Sequence, residues 1–332
     1  MAKRRREVVL IGHLHDPKAE SLLRKRAQLK ILTEPPSERT LRKKLTLAHG
    51  VMVRTPFRLT GSVISNSKNL LVISSSGRGT DNIDVKTASQ RNIAVVNAPD
   101  VGRVPVAEHT LAFMLALSKG LVQNDIAVKQ GMNWNFRQNI QPVELAGKTL
   151  AIIGLGKIGS EVARKCHQNF GMKVLAYDPY IGKAYAQRVG ANLANTLEEL
   201  LPRADFLSIH AALTPETKGM LGRKEFEVMK TSAFLINTAR GSIINERELS
   251  AALQNHQLAG AALDVFDPEP PKKTFLLKLR NVILSPHIAG LTPEARRATS
   301  FALVRQVMQV FQGEKPQHIV NPQIWPALKK RI

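Results

Sequence analysis

Three side chains that can carry proton-transfer and anion-binding chemistry follow separate short apolar segments. They are Arg240 in Asn237-Thr238-Ala239-Arg240-Gly241, Glu269 in Asp264-Val265-Phe266-Asp267-Pro268-Glu269-Pro270, and His287 in Ser285-Pro286-His287-Ile288-Ala289-Gly290. Reduction of a carbonyl by hydride makes an alkoxide, and histidine is the natural proton donor near neutral pH. A glutamate hydrogen-bonded to that histidine would orient the ring and raise its pKa. An arginine can bind a carboxylate through two parallel hydrogen bonds, so the set predicts reduction of a 2-keto acid.

A glycine-rich segment precedes these residues and predicts a dinucleotide site. It reads Gly154-Leu155-Gly156-Lys157-Ile158-Gly159, directly after an apolar run and at the start of an amphipathic helical pattern. In that context the glycines permit a tight turn and a close approach of the backbone to a pyrophosphate. Asp178 ends the next apolar run, where a carboxylate favours the ribose of NAD over the 2′-phosphate of NADP. Lys183 lies nearby and leaves NADP open as an alternative.

The elements that must position these residues alternate in type along the chain. Near-continuous apolar runs are separated by helical patterns, which is typical of a parallel sheet covered on both faces. We predict strands at Thr149–Ile153, Lys173–Tyr177, Phe206–Ile209 and Gly260–Leu263, and at residues 8–11, 51–54, 70–74, 93–96, 233–237 and 281–284. Long helices are predicted at residues 104–130 and 293–311. The fold class is therefore α/β, with two doubly wound parallel-sheet domains that are Rossmann-like or flavodoxin-like.

Composition excludes several classes of protein. The chain has 332 residues, a net charge of +22, one cysteine and 5% aromatic residues. The basic clusters are not interleaved with aromatic residues, so we do not expect nucleic-acid binding despite the charge. No apolar run approaches the length of a membrane helix, and no signal peptide is recognised. We expect a cytoplasmic protein, and we expect Cys166 to be a buried structural thiol because it falls in a helical pattern.

The sequence resembles the D-isomer-specific 2-hydroxyacid dehydrogenases along nearly its whole length. Besides the segments above, the resemblance rests on Gly79-Thr80-Asp81-Asn82-Ile83-Asp84, Val106-Ala107-Glu108-His109-Thr110, Leu145-Ala146-Gly147-Lys148-Thr149, Leu213-Thr214-Pro215-Glu216-Thr217 and Gly260-Ala261-Ala262-Leu263-Asp264-Val265. The family includes phosphoglycerate dehydrogenase, glyoxylate/hydroxypyruvate reductase and D-lactate dehydrogenase. So many motifs in the same order are highly specific.

The resemblance implies an arrangement of domains and sites. It implies that Arg240, Glu269 and His287 are the catalytic residues, and that residues 103–290 form an NAD-binding domain inserted in a substrate domain of residues 1–102 and 291–332. It implies a homodimer and a small anionic 2-keto or 2-hydroxy acid as substrate. NAD contacts are expected at Gly154, Gly156, Lys157, Ile158, Gly159, Asp178, Thr214, Thr238, Ala239, Asp264 and Gly290, and substrate contacts at Arg54, Ser76, Gly77 and Arg78.

The sequence departs from the family pattern at Arg78, and alternative substrates and functions stay open. Many relatives carry a small or apolar residue where Arg78 stands, so we hypothesise that Arg78 binds a second anionic group of the substrate; the alternative is that it faces solvent or a phosphate of NAD. We expect no serine feedback, because the sequence stops soon after its last long helical pattern. The substrate could resemble glyoxylate and hydroxypyruvate or 3-phosphoglycerate. Rival functions are a dehydrogenase of phosphite or formate and an NAD-sensing corepressor-like binding protein.

Overall fold

The structure is a computed structural model that describes residues 5–33, 36–54, 57–77, 79–272 and 274–332, apart from the side chain of Asn139. The chain divides into two compact units. The first consists of Met1–Gly102 and Leu291–Ile332, and the second is Arg103–Gly290. Each unit contains one parallel sheet with helices on both faces, which is the predicted α/β class.

The first unit begins with an alternation of strands and helices. Its elements are β1 (Glu7–Ile11), α1 (Pro17–Arg26), β2 (Gln28–Leu32), α2 (Glu38–Leu45), β3 (Gly50–Val53), α3 (Gly61–Asn66), β4 (Val72–Ser75), α4 (Val85–Gln90) and β5 (Ala94–Val96). The strand order is β2-β1-β3-β4-β5, and every pairing is parallel. This is the flavodoxin-like order. Strand β2 escaped prediction because it is an edge strand whose residues are only partly buried.

The second unit contains a larger sheet. Its elements are α5 (Arg103–Lys119), α6 (Leu121–Lys129), β6 (Thr149–Ile153), α7 (Lys157–Phe170), β7 (Lys173–Tyr177), α8 (Lys183–Arg188), β8 (Ala191–Leu193), α9 (Leu197–Leu200), β9 (Phe206–Ile209), α10 (Arg223–Glu227), β10 (Phe234–Asn237), α11 (Glu246–Gln254), β11 (Gly260–Leu263) and β12 (Val282–Leu284). Short 3-10 turns lie at Trp134–Asn139, Leu201–Arg203, Gly241–Ile243 and Phe275–Lys278. The strand order β8-β7-β6-β9-β10-β11-β12 extends the Rossmann order by one strand.

The chain then returns to the first unit. Helix α12 (Pro293–Gln312), a 3-10 turn (Pro322–Ile324) and α13 (Trp325–Lys329) complete it. Alternate residues of β1 explain why helices cover both faces. Val8 and Leu10 pack into a core that includes Leu303 of α12, whereas Val9 and Ile11 pack into one that includes Leu41 of α2.

The prediction of one continuous helix over residues 104–130 is wrong, because the structure has two helices there. The segment forms α5 and α6, which meet at Gly120 with a φ of 57°. That left-handed conformation suits glycine and ends a helix, so the two axes are bent by 58°. Among the described residues no single helix is long and apolar enough to cross a bilayer; only α5 and α6 taken together pass such a test.

Candidate active site

The three predicted catalytic side chains lie after neighbouring strands of the larger sheet. Arg240 follows β10, Glu269 belongs to the loop after β11, and His287 follows β12. These strands are adjacent and parallel, so their carboxyl ends share one edge of the sheet. Ligands of open α/β sheets bind at this edge.

His287 and Glu269 form a direct pair. Nδ1 of His287 lies 2.8 Å from Oε2 of Glu269, and the two side chains are 38% and 30% exposed. This hydrogen bond raises the pKa of His287 above its ordinary value; the charges of Glu269 and Asp264 add to the effect, while burial and Arg240 oppose it. Burial by itself would raise the pKa of Glu269, but His287, the amide of Phe266 and Arg240 together hold it below the usual value. The pair is therefore built to carry a proton on histidine.

A turn held by the side chain of Asn237 positions Arg240. The Asn237 side chain accepts a hydrogen bond from the amide of Ala239 at 2.9 Å and donates one to the carbonyl oxygen of Arg240 at 2.9 Å. Gly241 then passes so close to the loop after β11 that a Cβ there would lie 2.1 Å from the carbonyl carbon of Phe266. Only glycine permits this approach, which joins the loop of Arg240 to the loop of Glu269.

Asp264 fixes the loop that carries His287. It is 1% exposed, and its carboxylate accepts hydrogen bonds from the amides of Ile288 and Ala289, each at 2.9 Å. It also accepts one from the hydroxyl of Ser285. These contacts lie on both sides of His287, whose φ is +55°, a left-handed conformation that costs energy for a histidine. Asp264 therefore holds His287 in a conformation that it would rarely adopt by itself.

The glycine-rich segment has the geometry of a dinucleotide turn. Gly154 has a φ of +90°, and a Cβ on it would lie 2.6 Å from the amide nitrogen of Ala211. A Cβ on Gly159 would lie 2.1 Å from the carbonyl oxygen of Gly154, so helix α7 packs directly against this turn. Beside Gly156 there is instead open space within 4 Å among the described atoms. That space lies at the N-terminus of a 14-residue helix, where free amides and the helix dipole favour a phosphate.

The other predicted coenzyme contacts occupy the same unit. The carboxylate of Asp178 accepts hydrogen bonds from the amides of Leu155 at 2.8 Å and Tyr180 at 2.9 Å. Each carboxylate oxygen can accept a further bond, so a ribose hydroxyl fits there. Thr238 is buried and lies 3.1 Å from the Thr110 hydroxyl, measured between side-chain oxygens. Lys157 and Thr214 are exposed, and Ile158, Ala239 and Gly290 are half-buried. A dinucleotide therefore fits the residues present.

The predicted substrate residues lie in the first unit. Arg54 follows β3 and is half-buried, and Ser76 and Gly77 follow β4. The amide of Ser76 donates to the carbonyl oxygen of Val53 at 2.8 Å, so that amide is already used within the sheet edge. Arg78 lies outside the described residues.

Comparison with known proteins decides the family. Residues 111–289, more than half of the 332, match the family described as D-isomer specific 2-hydroxyacid dehydrogenase, NAD binding domain. The chain belongs to this family. The D-3-phosphoglycerate dehydrogenase of Methanocaldococcus jannaschii is 39% identical over 315 residues, which are 95% of this chain and 59% of that protein. The match to the Synechocystis enzyme of the same name covers 50% of that protein, so the chain spans little more than half the length of such curated relatives.

Solved structures agree with this membership. The TT0316 protein from Thermus thermophilus is 32% identical with a TM-score of 0.85, and the match covers 95% of this chain and 99% of that one. The D-lactate dehydrogenase from Aquifex aeolicus, solved with NAD and lactic acid, is 29% identical with a TM-score of 0.85; 95% of this chain and 99% of that chain are covered. Residues 111–289 of this dehydrogenase-family chain thus form the family's NAD-binding domain.

Sequence reasoning missed two residues that support the loop of His287. Nε2 of His109 lies 3.0 Å from the hydroxyl oxygen of Ser285. Since a carboxylate only accepts, Ser285 donates to Asp264 and must accept from Nε2–H of His109. Both residues fall within family motifs quoted above, so the motifs marked their positions, but no spacing rule shows that residues 176 positions apart touch.

We predict that Ser285→Ala loosens the loop of His287, whereas Ser285→Thr preserves it. The alanine variant leaves Asp264 with one donor fewer, so its bonds to the amides of Ile288 and Ala289 weaken. Hydrogen exchange of those two amides should then be about tenfold faster, and kcat should fall by about tenfold, the equivalent of one ordinary hydrogen bond. Unchanged exchange in the alanine variant would mean that Ser285 does not hold the loop.

Proposed function

We propose that the protein is an NAD-dependent D-2-hydroxyacid dehydrogenase in which His287 is the acid and base. The observation that carries this proposal is the His287–Glu269 hydrogen bond at the strand edge that also presents Arg240. A structural ion pair would not need a histidine held in a left-handed conformation at the sheet edge that also carries the nucleotide-binding turn.

The proposed mechanism follows from the atoms of the pair. Glu269 accepts from Nδ1–H of His287, so Nε2 is the nitrogen left to face a substrate. The coenzyme, when bound by the glycine turn and Asp178, would supply the hydride that reduces the carbonyl carbon of the 2-keto acid. Nε2–H of His287 gives its proton to the carbonyl oxygen, which becomes the hydroxyl, and the imidazole is left neutral. In the reverse direction the neutral imidazole takes that proton back. Arg240 binds the substrate carboxylate and polarises the adjacent carbonyl.

The substrate that we propose is a small 2-keto acid. Arg54, Ser76 and Gly77 follow strands of the first sheet at one edge and would bind its anionic groups. The names of the curated relatives point to 3-phosphoglycerate, whose 2-keto form is phosphohydroxypyruvate, and hydroxypyruvate and glyoxylate are smaller 2-keto acids. The carboxylate of Asp178 favours NAD over NADP, because it would repel a 2′-phosphate.

We also propose a cytoplasmic location. Cys166 is a free, buried thiol, and burial raises its pKa to about 12. Free thiols persist in a reducing compartment such as the cytoplasm.

The test is NADH oxidation with glyoxylate, hydroxypyruvate, phosphohydroxypyruvate, pyruvate and phenylpyruvate, with NADPH as the comparison. We expect turnover of at least one keto acid, with NADH preferred. Formate and phosphite are included with NAD, since turnover of either anion in place of the keto acids would favour the rival dehydrogenases. A salt-dependent DNA shift assay beside these reactions tests the binding-protein alternative; DNA binding without turnover would contradict our proposal.

We also propose that the protein is a homodimer joined through the second unit. Helix α6 and the turn after it expose an apolar surface, Leu121, Val122, Ile126, Val128, Met132 and Trp134, each between 40% and 65% exposed. Several exposed apolar side chains on one short segment are typical of a protein interface. Ile126→Asp should therefore give monomers in light scattering after size-exclusion chromatography. Val228→Asp, at another exposed apolar position, should leave the dimer intact, and a dimeric Ile126→Asp variant would contradict this interface.

A further inference from the structure

A pocket at the amino edge of the first sheet is lined mainly by basic and polar side chains. Its volume of about 480 Å³ is within the range of small-molecule sites. The residues that line it precede β1, β3 and β4 or follow α13: Arg6, His49, Lys68, Asn69, Leu71 and Arg331. All of them belong to the first unit. The predicted substrate residues Arg54 and Ser76 follow strands of this sheet, so the pocket lies at the opposite edge and is separate from the proposed active site.

Arg331 is fixed at one side of the pocket by carbonyl groups of the backbone. Its Nη1 donates to the carbonyl oxygens of Arg91 at 2.7 Å and Asn92 at 2.9 Å. Its Nη2 donates to those of Lys68 at 3.3 Å and Leu70 at 3.2 Å. Partial burial of the guanidinium, and then the charge of Arg91, lower the pKa of Arg331. The carbonyl groups therefore position this positive charge without neutralising it.

Arg6 borders the pocket at the start of β1 and has donors to spare. Its Nη1 donates to the carbonyl oxygen of Phe311, and its Nη2 donates to that of Ile332 at 3.0 Å. A guanidinium has five N–H groups, so three of them are not used by any described residue. Arg6 is half-buried, and burial lowers its pKa because it removes water from the charge.

The nearby carboxylate does not balance these charges. Within the part of the chain that the structure describes, no Asp or Glu side chain forms an ion pair with Arg6, Lys68 or Arg331. Glu7 follows Arg6 directly, but its carboxylate lies 2.7 Å from Nζ of Lys30 on the neighbouring strand. Three cations thus surround one pocket without a described carboxylate among them, which favours a bound anion.

The charge of the whole first unit would attract the same kind of ligand. Its sequence contains 26 Lys and Arg residues and 10 Asp and Glu residues, which accounts for +16 of the net charge of +22. Helices between parallel strands run antiparallel to them, so the basic last turns of α1 and α2, in residues 24–26 and 42–44, lie at the amino edge. Such an uneven distribution of charge steers anions toward this edge.

We propose that the pocket bordered by Arg6, Lys68 and Arg331 binds a small anion with two or more linked phosphate groups. Arg6 precedes β1 and Lys68 precedes β4, and β3 lies between these strands. Their backbones are therefore two strand spacings apart, about 10 Å. A chain of linked phosphates can contact cations on both sides of such a pocket through charge-assisted hydrogen bonds. The inference does not depend on the proposed function, because the pocket contains no residue that we assign to the reaction.

Calorimetric titration of the protein saturated with NADH tests this site. NADH occupies the glycine turn, which could otherwise bind the same phosphates. The probes are pyrophosphate, tripolyphosphate, ADP, orthophosphate and citrate. We expect at least one linked-phosphate probe to bind more tightly than orthophosphate and than citrate, an anion whose charge is on carboxylates. Tighter binding of ADP than of pyrophosphate identifies a nucleotide as the ligand, and the reverse order identifies a free phosphate chain.

Two variants assign the binding to the pocket. Lys68 is exposed and its ammonium group has no hydrogen bond to a described residue, so Lys68→Ala should keep the Tm of the wild type. It should raise the Kd of the tightest probe by about 10-fold, the effect of one lost charge-assisted hydrogen bond. Arg6→Gln removes a charge but keeps a side-chain donor, and it should raise the Kd by a similar factor.

Lys86→Ala is the matched control. It removes the same charge from an exposed lysine of the first unit, in the first turn of α4, which begins at the other edge of the sheet. It should leave the Kd unchanged. The inference is overturned if no linked-phosphate probe binds saturably, if citrate binds as tightly, or if Lys68→Ala leaves the Kd unchanged. An equal loss in Lys86→Ala also overturns it, because the net charge of the unit and not the pocket would then attract the anion.

Discussion

His287→Gln is expected to lower kcat for reduction of the keto acid by about 10²- to 10⁴-fold, the usual contribution of a positioned acid. Glutamine can fill the position and accept or donate a hydrogen bond, but it cannot give up a proton. The substitution does not alter the predicted coenzyme contacts. The Kd for NADH, measured by fluorescence titration, should therefore change by no more than about twofold, which is less than 1 kcal/mol of binding free energy. A variant that keeps more than a tenth of the wild-type kcat would remove His287 from the role of acid.

The partner variant, Glu269→Gln, should move the pH dependence. In reduction His287 must start protonated, so kcat/KM falls as the pH rises through the pKa of His287. The bond to Glu269 raises that pKa, and an amide cannot supply the same charge. The fall should therefore occur at a lower pH in Glu269→Gln than in the wild type. In the oxidation direction, where His287 must start neutral, the rise of kcat/KM with pH should shift the same way.

Asp125→Asn is the control for Glu269→Gln. It also removes one negative charge from the second unit, at a surface residue that pairs with Lys129 at 2.9 Å. Its pH profile should match the wild type because exposed charges at a distance are screened by solvent and salt. If both variants shift the profile equally, net charge and not the His287–Glu269 bond sets the pKa.

The second large effect is expected at the glycine turn, where two alanine variants should fail in different ways. Gly159→Ala would place a Cβ 2.1 Å from the carbonyl oxygen of Gly154, which neither backbone can avoid without moving. The loss of stability should be about 1–3 kcal/mol, as for other overpacked positions, and Tm should fall in differential scanning fluorimetry. Because the turn itself moves, NADH binding should be lost as well.

Gly156→Ala should instead leave the fold intact and weaken the binding of the coenzyme. No described atom lies within 4 Å of a Cβ at this position, and the φ of −71° suits alanine. The methyl group would occupy the space where we place the pyrophosphate. We expect a Tm close to that of the wild type and a Kd for NADH raised by tenfold or more, the equivalent of about 1.4 kcal/mol. An unchanged Kd would show that the pyrophosphate does not lie over Gly156.

Local sequence signals were enough for the fold class and for placing the segments of Arg240, Glu269 and His287 after strands. The turn at Gly154 to Gly159 has a fixed spacing because its strand, turn and helix are contiguous in the chain. Helix α7 was predicted from a periodic pattern and begins and ends where that pattern does. Helix α12 was predicted over residues 293–311 and ends at Gln312, where Gly313, with a φ of 76°, is a left-handed cap.

Local sequence signals did not predict the features that depend on weak burial or on contacts between distant residues. Strand β2 lies at an edge and buries little, so its apolar pattern is faint. The break at Gly120 was overlooked because the helical pattern continues on both sides of a single glycine. The catalytic roles of Arg240, Glu269 and His287 remain predictions that the experiments above address, and the assignment of the first unit as the substrate domain remains a prediction as well.

The amino-acid order alone therefore determined which residue types stand at the ends of which strands, since strand and turn signals are read from neighbours in the chain. Only the tertiary structure decided that Asp264 holds the strained loop of His287 and that Gly241 lies against Phe266. Each of these contacts joins segments far apart in sequence. Packing of the strands and helices sets such distances, and no local pattern encodes them.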